Sequence, residues 1–135
     1  MSKHRIIPPI SKYMSTSPHT IGADQTMAHA HAVMRKERIR HLPVLTGNKL
    51  VGIISEGDLH MVETLHDVDP ANVRVDEAMT QEVYVVTPDA PLDEVVQEMA
   101  RHKYGSAIVV DNHKVGGVFT TVDACQAFAD MLRAS

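Results

Sequence analysis

The sequence is poor in the features that mark several classes of protein. It has 135 residues with one cysteine, no tryptophan and 4% aromatic residues. The lone Cys125 excludes an internal disulfide and suits a reducing compartment. No stretch approaches the roughly 20 apolar residues of a transmembrane helix, and the opening MSKHRIIPPI lacks the apolar run of a signal peptide. We therefore expect a cytoplasmic protein that does not bind membranes.

Signals for catalysis, metal binding and nucleic-acid binding are also scarce. The formal net charge is −4, which does not favour nucleic acid as a partner. No phosphate-binding glycine loop, dinucleotide fingerprint or nucleophile elbow occurs. His29 and His31 lie two residues apart on a predicted helix and point in different directions, and His60 and His66 have no Cys or carboxylate at zinc-type spacing. We expect no catalytic residues, no metal, no required cofactor and no enzyme activity.

What the sequence does contain is an internal repeat. Sliding the chain by 65 residues aligns its halves without a gap, with seven identities in 49 pairs, among them Met14 with Met79 and Asp58 with Asp123. The apolar pattern also matches, because the runs LPVL and AIVV coincide. This indicates a tandem repeat.

Each repeat has the pattern β-α-β-β-α, which predicts an α/β (α+β) fold. In the second repeat a β-branched run over 83–86 precedes a helical apolar spacing, and strands over 107–110 and 115–119 flank a polar turn. A last helix is expected over about 122–132. We place the first repeat with its N-terminal segment at 1–64, a polar linker at 65–74 and the second repeat at 75–135. A unit of this size is marginal alone, so the two repeats should pack together.

Each repeat contains a segment that ends in Ser/Thr-x-x-Asp, GIISEGD in the first repeat and GVFTTVD in the second. One interpretation is structural, because Ser55 or Thr120 can cap a helix while Asp58 or Asp123 completes a capping box. The other is chemical, because an aspartate on the first exposed helical turn can accept hydrogen bonds from ribose hydroxyls. The two interpretations are compatible.

The order and duplication of these motifs, with the strand entry RHLPV, resemble a tandem cystathionine-β-synthase (CBS) domain pair, also called a Bateman module. The resemblance covers roughly residues 10–132. It implies a pseudo-twofold pair of repeats with two clefts between them, where family members often bind adenosine nucleotides. It also implies regulation of a partner and association as a homodimer.

The resemblance implies particular site residues. Asp58 and Asp123 would bind ribose, with Ser55 and Thr120 beside them. Arg40 and His41 would contact phosphate, whereas Arg35, Lys36 and Arg38 are explained by the negative end of the first helix. In the second repeat Gly105 and Ser106 replace Arg40 and His41, so the site of Asp58 should favour a charged nucleotide more strongly.

The adenine pocket is the least specific part of the pattern. The residues that the resemblance implies for adenine contact are equally well explained as core residues. They are Thr20, Ile21, Val83, Val85, Pro43, Ala107 and Ile108.

We therefore expect a regulatory module that senses an adenosine nucleotide such as AMP, ADP or ATP, with NAD and S-adenosylmethionine left open. It would form a homodimer and act on a separate regulated protein. The alternative is a dimerising interaction scaffold with no nucleotide dependence.

Overall fold

A computed structural model describes residues 6–16 and 18–134. They form two compact units, a first unit within residues 19–83 and a second unit within residues 1–18 and 84–135. Residues 1–5 and 17 of the expected first domain and residue 135 of the second lie outside the described residues. The elements, in chain order, are β1 (Ser15–Thr16), β2 (Ile21–Gly22), α1 (Met27–Glu37), β3 (His41–Thr46), β4 (Lys49–Ser55), α2 (Glu56–Thr64), α3 (Val75–Ala78), β5 (Val85–Val86), α4 (Leu92–His102), β6 (Ser106–Asp111), β7 (Lys114–Thr120) and α5 (Thr121–Ala134), with short 3-10 helices at Ile10–Lys12 and Pro70–Asn72.

The first unit is a three-stranded sheet packed against helices. β2 pairs in parallel with β3, and β3 pairs antiparallel with β4. The tight turn between β3 and β4 includes Gly47 at φ 62°, a left-handed conformation that glycine adopts without steric cost. One face of α1 is buried, with Met27, Ala30 and Met34 packed in one cluster with the sheet.

The second unit repeats this plan with one more strand, in the order β1-β7-β6-β5. Its core includes Val95 and Met99 from α4 and the fully buried Phe119 from β7. Residues from the beginning of the chain complete it, because Ile10 is fully buried in the same cluster. The Ile10 amide also donates to the carbonyl of Ala90 at 2.8 Å.

The predicted β-α-β-β-α order is confirmed in both repeats, and the match extends to local irregularities. α1 and α4 both end on a left-handed residue, Arg38 at φ 56° and Lys103 at φ 60°, which are 65 positions apart. The register of each hairpin shifts at equivalent places, after Val44 and after Val109. The strand expected over 83–86 is shorter, since β5 contains only its last two residues.

The compact units divide the chain differently from the sequence repeats. The N-terminal segment that precedes the first repeat's β2 lies in the second unit, where β1 pairs antiparallel with β7. In the first unit Thr80 exchanges two backbone hydrogen bonds of 2.9 Å with Ile53 of β4. Each outer strand of the hairpins therefore gains a pairing partner, which satisfies backbone groups that an edge strand would leave open.

A methionine and a glycine fix each of these pairings. A Cβ at Gly52 would lie 2.5 Å from Met79 Sδ, and a Cβ at Gly117 would lie 2.5 Å from Met14 Sδ. Only glycine allows so close an approach. The identities Met14/Met79 and Gly52/Gly117 of the repeat thus have a structural cause.

The expected linker over 65–74 is ordered. It contains the 3-10 helix Pro70–Asn72, and Val73 accepts a hydrogen bond from the Met27 amide at 2.8 Å, just as α1 begins. Val68 and Val73 pack against the first unit's core. In the described part of the chain, no helix is long and apolar enough to cross a membrane.

Candidate functional site

Both Ser/Thr-x-x-Asp motifs form the capping box that the sequence predicts. The Ser55 amide and hydroxyl donate to Asp58 Oδ2 at 2.9 and 3.0 Å, and the Asp58 amide donates to Ser55 Oγ at 3.2 Å. Thr120 and Asp123 make the same three contacts at 2.9, 3.2 and 3.4 Å. Each carboxylate is therefore held at the start of a helix through one of its oxygens.

The hairpin register brings His41 next to Asp58. His41 lies directly opposite Ser55 in the β3–β4 ladder, and the Glu56 amide donates to the Arg40 carbonyl at 2.9 Å. Burial lowers the pKa of the His41 imidazole below its usual value, while the nearby Asp58 carboxylate opposes this shift. His41 is therefore a neutral hydrogen-bonding group at pH 7, beside a fixed carboxylate.

Arg40 projects from the same place into solvent. Its side chain is 73% exposed, and its Nε lies 3.3 Å from Glu56 Oε2, which belongs to a side chain that is 66% exposed. An ion pair this exposed contributes little stability, because water screens both charges. An anionic ligand can replace Glu56 as the partner of Arg40 at small cost.

Arg40 and His41 line a cleft of about 900 Å³ that belongs to the first unit. It lies where α1 ends, β3 begins and α2 begins, and Ser55 and Gly57 also line it. Two further arginines, Arg35 and Arg38, line this cleft. From the sequence both were explained by the negative end of α1, because spacing alone does not show that they line the same cleft as Arg40.

The second unit has the same backbone at this place and different side chains. The Thr121 amide donates to the Gly105 carbonyl at 3.2 Å, which reproduces the contact between Glu56 and Arg40. The rings of Tyr84 and Tyr104 stack with their centroids 5.2 Å apart, and the ring of His102 stacks on Tyr104 with a centroid distance of 5.1 Å. This aromatic group was not predicted from the sequence, because Tyr84 is far in the chain from His102 and Tyr104.

The residues predicted for the adenine pocket fall into three groups. Pro43, Ala107 and Ile108 are buried in their own units, as core residues would be. Thr20 and Ile21 line a smaller cleft of about 550 Å³ in the first unit, together with Asp24, Arg74 and Asp76. Val83 is half-buried and Val85 is 47% exposed. Their role towards adenine stays a prediction.

The two remaining kinds of candidate site are a metal site and the lone thiol. Within residues 6–16 and 18–134, no group of three His, Cys, Asp or Glu side chains is close enough to hold a metal ion. Cys125 is a free, exposed thiol on α5.

Two copies of one β-α-β-β-α unit, each with a carboxylate fixed at the start of its last helix, define a tandem-repeat α/β protein. The family model of the CBS domain matches residues 10–62 and again 75–130. The chain belongs to the CBS domain family and carries a tandem pair of these domains.

Solved structures with the same fold include two that cover nearly the whole chain. One is a putative acetoin utilization protein (AcuB) from Vibrio cholerae, 29% identical, with a TM-score of 0.82 and 95% of each chain covered. Another is the CBS domain pair of protein MJ0100 in complex with 5′-methylthioadenosine and S-adenosyl-L-methionine. It is 26% identical with a TM-score of 0.84, and 93% of this chain and 99% of that one are covered.

Curated relatives include much longer proteins. A homoserine O-acetyltransferase from Methanosarcina acetivorans is 27% identical over 114 residues, which is 83% of this chain and 20% of that protein. The chain spans about a fifth of the length of the first curated relatives it matches.

Proposed function

We propose that the chain is a cytoplasmic regulatory module that binds an adenosine nucleotide and reports its presence to a separate protein. The observation that carries the proposal is the Asp58 carboxylate, fixed by Ser55 and close to His41, which follows Arg40 in the chain. This group of side chains offers an acceptor for ribose and cationic or neutral donors for phosphate. The module binds its ligand and performs no catalytic step.

Asp58 is suited to a ribose diol. In the described chain, the hydrogen bonds to its carboxylate all end on Oδ2, so Oδ1 is the oxygen that the vicinal hydroxyls would engage. A carboxylate whose rotamer is already fixed loses little entropy on binding. Asp123 has the same geometry, and we propose the same role for it.

Arg40 and His41 serve the phosphate in this proposal. A guanidinium binds phosphate through forked, charge-assisted hydrogen bonds. His41 adds a neutral N–H donor from a partly buried position. The phosphate would take the place of Glu56, which is now held only by an exposed ion pair.

The adenosine part of the proposal has support from a structural relative. The MJ0100 domain pair was solved with two ligands that both contain adenosine. We propose that Thr20, Ile21, Val83, Val85, Pro43, Ala107 and Ile108 supply apolar walls and backbone groups for the purine, as is usual in such pockets. AMP, ADP and ATP are the ligands we favour.

Regulation would follow from a shift between two states of the module. A ligand can bias a partner only by the difference in its affinity for these states. We propose that the module acts as a homodimer, so that one ligand-dependent change is presented twice to the regulated protein.

Thermal unfolding with a panel of ligands tests the proposal. The panel contains adenosine, AMP, ADP, ATP, NAD, S-adenosylmethionine and GMP. A ligand at ten times its Kd stabilises the folded state by about 1.4 kcal/mol, which raises the melting temperature by about 2–8 °C. The proposal fails if no adenosine compound raises it, or if GMP raises it as much as AMP does.

A dimerising scaffold without nucleotide dependence is the second candidate. The observation that favours it is the exposed apolar surface of α5, where Val122 is 66% and Phe128 61% exposed. Under this alternative, Val122→Asp with Phe128→Asp would abolish dimerisation and partner binding, and ligands would affect neither. The thermal-unfolding panel separates the two candidates, because the scaffold predicts no change in melting temperature with any adenosine compound.

A further inference from the structure

Three arginines share one cleft of the first unit, and we call it the arginine cleft. Arg35, Arg38 and Arg40 line its volume of about 900 Å³. The two carboxylates that line it have other partners, since Glu56 pairs with Arg40 and Glu63 lies 2.8 Å from His31 Nδ1. Across the described residues, no carboxylate forms an ion pair with Arg35 or Arg38. The cleft therefore presents two guanidiniums that the protein itself does not neutralise.

The local fold explains why these arginines converge. Arg35 lies in the last turn of α1, and Arg38 ends the helix in a left-handed conformation at φ 56°. This conformation reverses the chain, so Arg40, which immediately precedes β3, lies at the same end of the unit. The amides of Arg38 and Ile39 both donate to the Met34 carbonyl, which lowers the negative potential of the helix end.

The cleft is larger than one phosphate requires. Its volume lies within the range of pockets that hold whole small molecules. Arginine binds each phosphate through paired donors, so three guanidiniums in one cleft match a chain of phosphates. A single phosphate on Arg40 and His41 would leave Arg35 and Arg38 without an anion.

We propose that the arginine cleft binds a linear chain of two or three phosphates, and that the module thereby prefers a nucleoside di- or triphosphate to a monophosphate. The part concerning nucleotides rests on the proposed function. The affinity for a phosphate chain rests on the cleft alone. In the second unit, Ala100, Lys103 and Gly105 occupy the positions equivalent to Arg35, Arg38 and Arg40. The preference for a phosphate chain therefore belongs to the first unit.

Calorimetric titration of the intact chain tests this proposal. Inorganic tripolyphosphate, adenosine, AMP, ADP and ATP are titrated without divalent metal into wild type, into Arg35→Gln/Arg38→Gln and into Lys36→Gln. Lys36→Gln is the matched control, because it removes one positive charge from the same helix at a residue that does not line the cleft. Circular dichroism melts confirm that each variant is folded.

We expect wild type to bind ATP about tenfold more tightly than AMP, since each exposed arginine–phosphate contact contributes a few-fold. The double arginine variant should reduce this ratio to about one and should lose tripolyphosphate binding, with adenosine binding unchanged. Lys36→Gln should keep the ratio and tripolyphosphate binding within about twofold, the size of a general electrostatic effect.

The outcomes distinguish this inference from the proposed function. If adenosine and AMP bind but ATP binds no more tightly, the phosphate-chain inference is wrong and the proposed function stands. If no nucleotide binds while tripolyphosphate binds through Arg35 and Arg38, the nucleotide proposal is wrong and the cleft is still an anion site. A ratio unchanged in the double variant, or equally reduced by Lys36→Gln, would overturn the role of the two arginines.

Discussion

The helix–strand junctions of the two repeats have the same backbone conformation but different side-chain chemistry. In the first unit, Arg40 and His41 precede the capping box, and a cleft with further arginines adjoins them. In the second unit, Gly105 and Ser106 precede an identical capping box. The helix that follows shows the same contrast, because His60 and Glu63 of α2 correspond to Cys125 and Phe128 of α5.

This contrast separates what the fold requires from what binding requires. Features present in both repeats, such as the Met–Gly contacts and the capping boxes, have a structural role wherever they occur. Features present in one repeat only, such as Arg40, are not needed to build the unit. A difference in ligand preference is therefore expected where the two copies differ, and the following changes test that division.

The largest effect is expected at the two close-packed glycines. Gly52→Ala and Gly117→Ala should each lower the free energy of unfolding by about 2 kcal/mol, because a Cβ would overlap the methionine sulfur and approach backbone oxygens at 2.9 and 3.0 Å. Urea denaturation measures both. Gly57→Ala is the control, since its Cβ would meet only Ser55 Oγ at 3.6 Å. It should be neutral or slightly stabilising in a helix.

The next largest effect on stability is expected at the capping boxes, and it should be equal in the two repeats. Asp58→Ala and Asp123→Ala should each lower the free energy of unfolding by about 1 kcal/mol, because each removes the carboxylate that accepts from the N-cap residue. Urea denaturation without ligand is the measurement. A loss at only one position would show that the two boxes are not equivalent.

Arg40 should affect ligand binding with little effect on folding. Arg40→Gln should weaken AMP about fivefold and leave adenosine unchanged, because it removes one charge-assisted contact to phosphate. Glu56→Gln should strengthen AMP about twofold, since it removes the carboxylate that competes for Arg40. Calorimetry with AMP and adenosine measures both. Equal loss of adenosine binding in Arg40→Gln would contradict the phosphate role.

The smallest expected effect is a pH dependence of stability that arises from His41 in the first repeat. Burial lowers the pKa of His41 in the folded state, and Asp58, Arg40 and Glu56 supply the surrounding charges. The unfolded state therefore binds more protons below the reference pKa of about 6.5. Stability should fall as pH is lowered from about 7 through that value. Urea midpoints across this range should depend less on pH in His41→Gln, and His60→Gln, an exposed neighbour, should retain the dependence.

The sequence predicted the fold well because the repeat doubles each local signal. The helical spacing, the hairpin turns and the capping boxes are each encoded within a short stretch of consecutive residues. The segment that begins each repeat packs in the unit of the other repeat, and this was not predictable from local signals. Aligning Met14 with Met79 does not indicate that Met14 lies against Gly117, since two-residue strands such as β1 carry too little pattern.

The candidate site was predictable to different degrees. Asp58, Ser55 and Arg40 follow from motifs, and the structure adds that His41 lies opposite Ser55. The inclusion of Arg35 and Arg38 in the cleft depends on a left-handed helix end, which sequence spacing does not reveal. The stack of Tyr84 on Tyr104 depends on two loops meeting at one end of the second unit.

AMP binding by Asp58→Asn, compared with Asp123→Asn, tests most directly whether the first repeat holds the preferred nucleotide site. Each substitution keeps the size of the side chain and removes one negative charge, so the two differ only in the repeat they change. Calorimetry should show AMP binding to the first site lost in Asp58→Asn and retained in Asp123→Asn. Equal retention in both variants, or loss in Asp123→Asn alone, would contradict the assignment of the preferred AMP site to the first repeat.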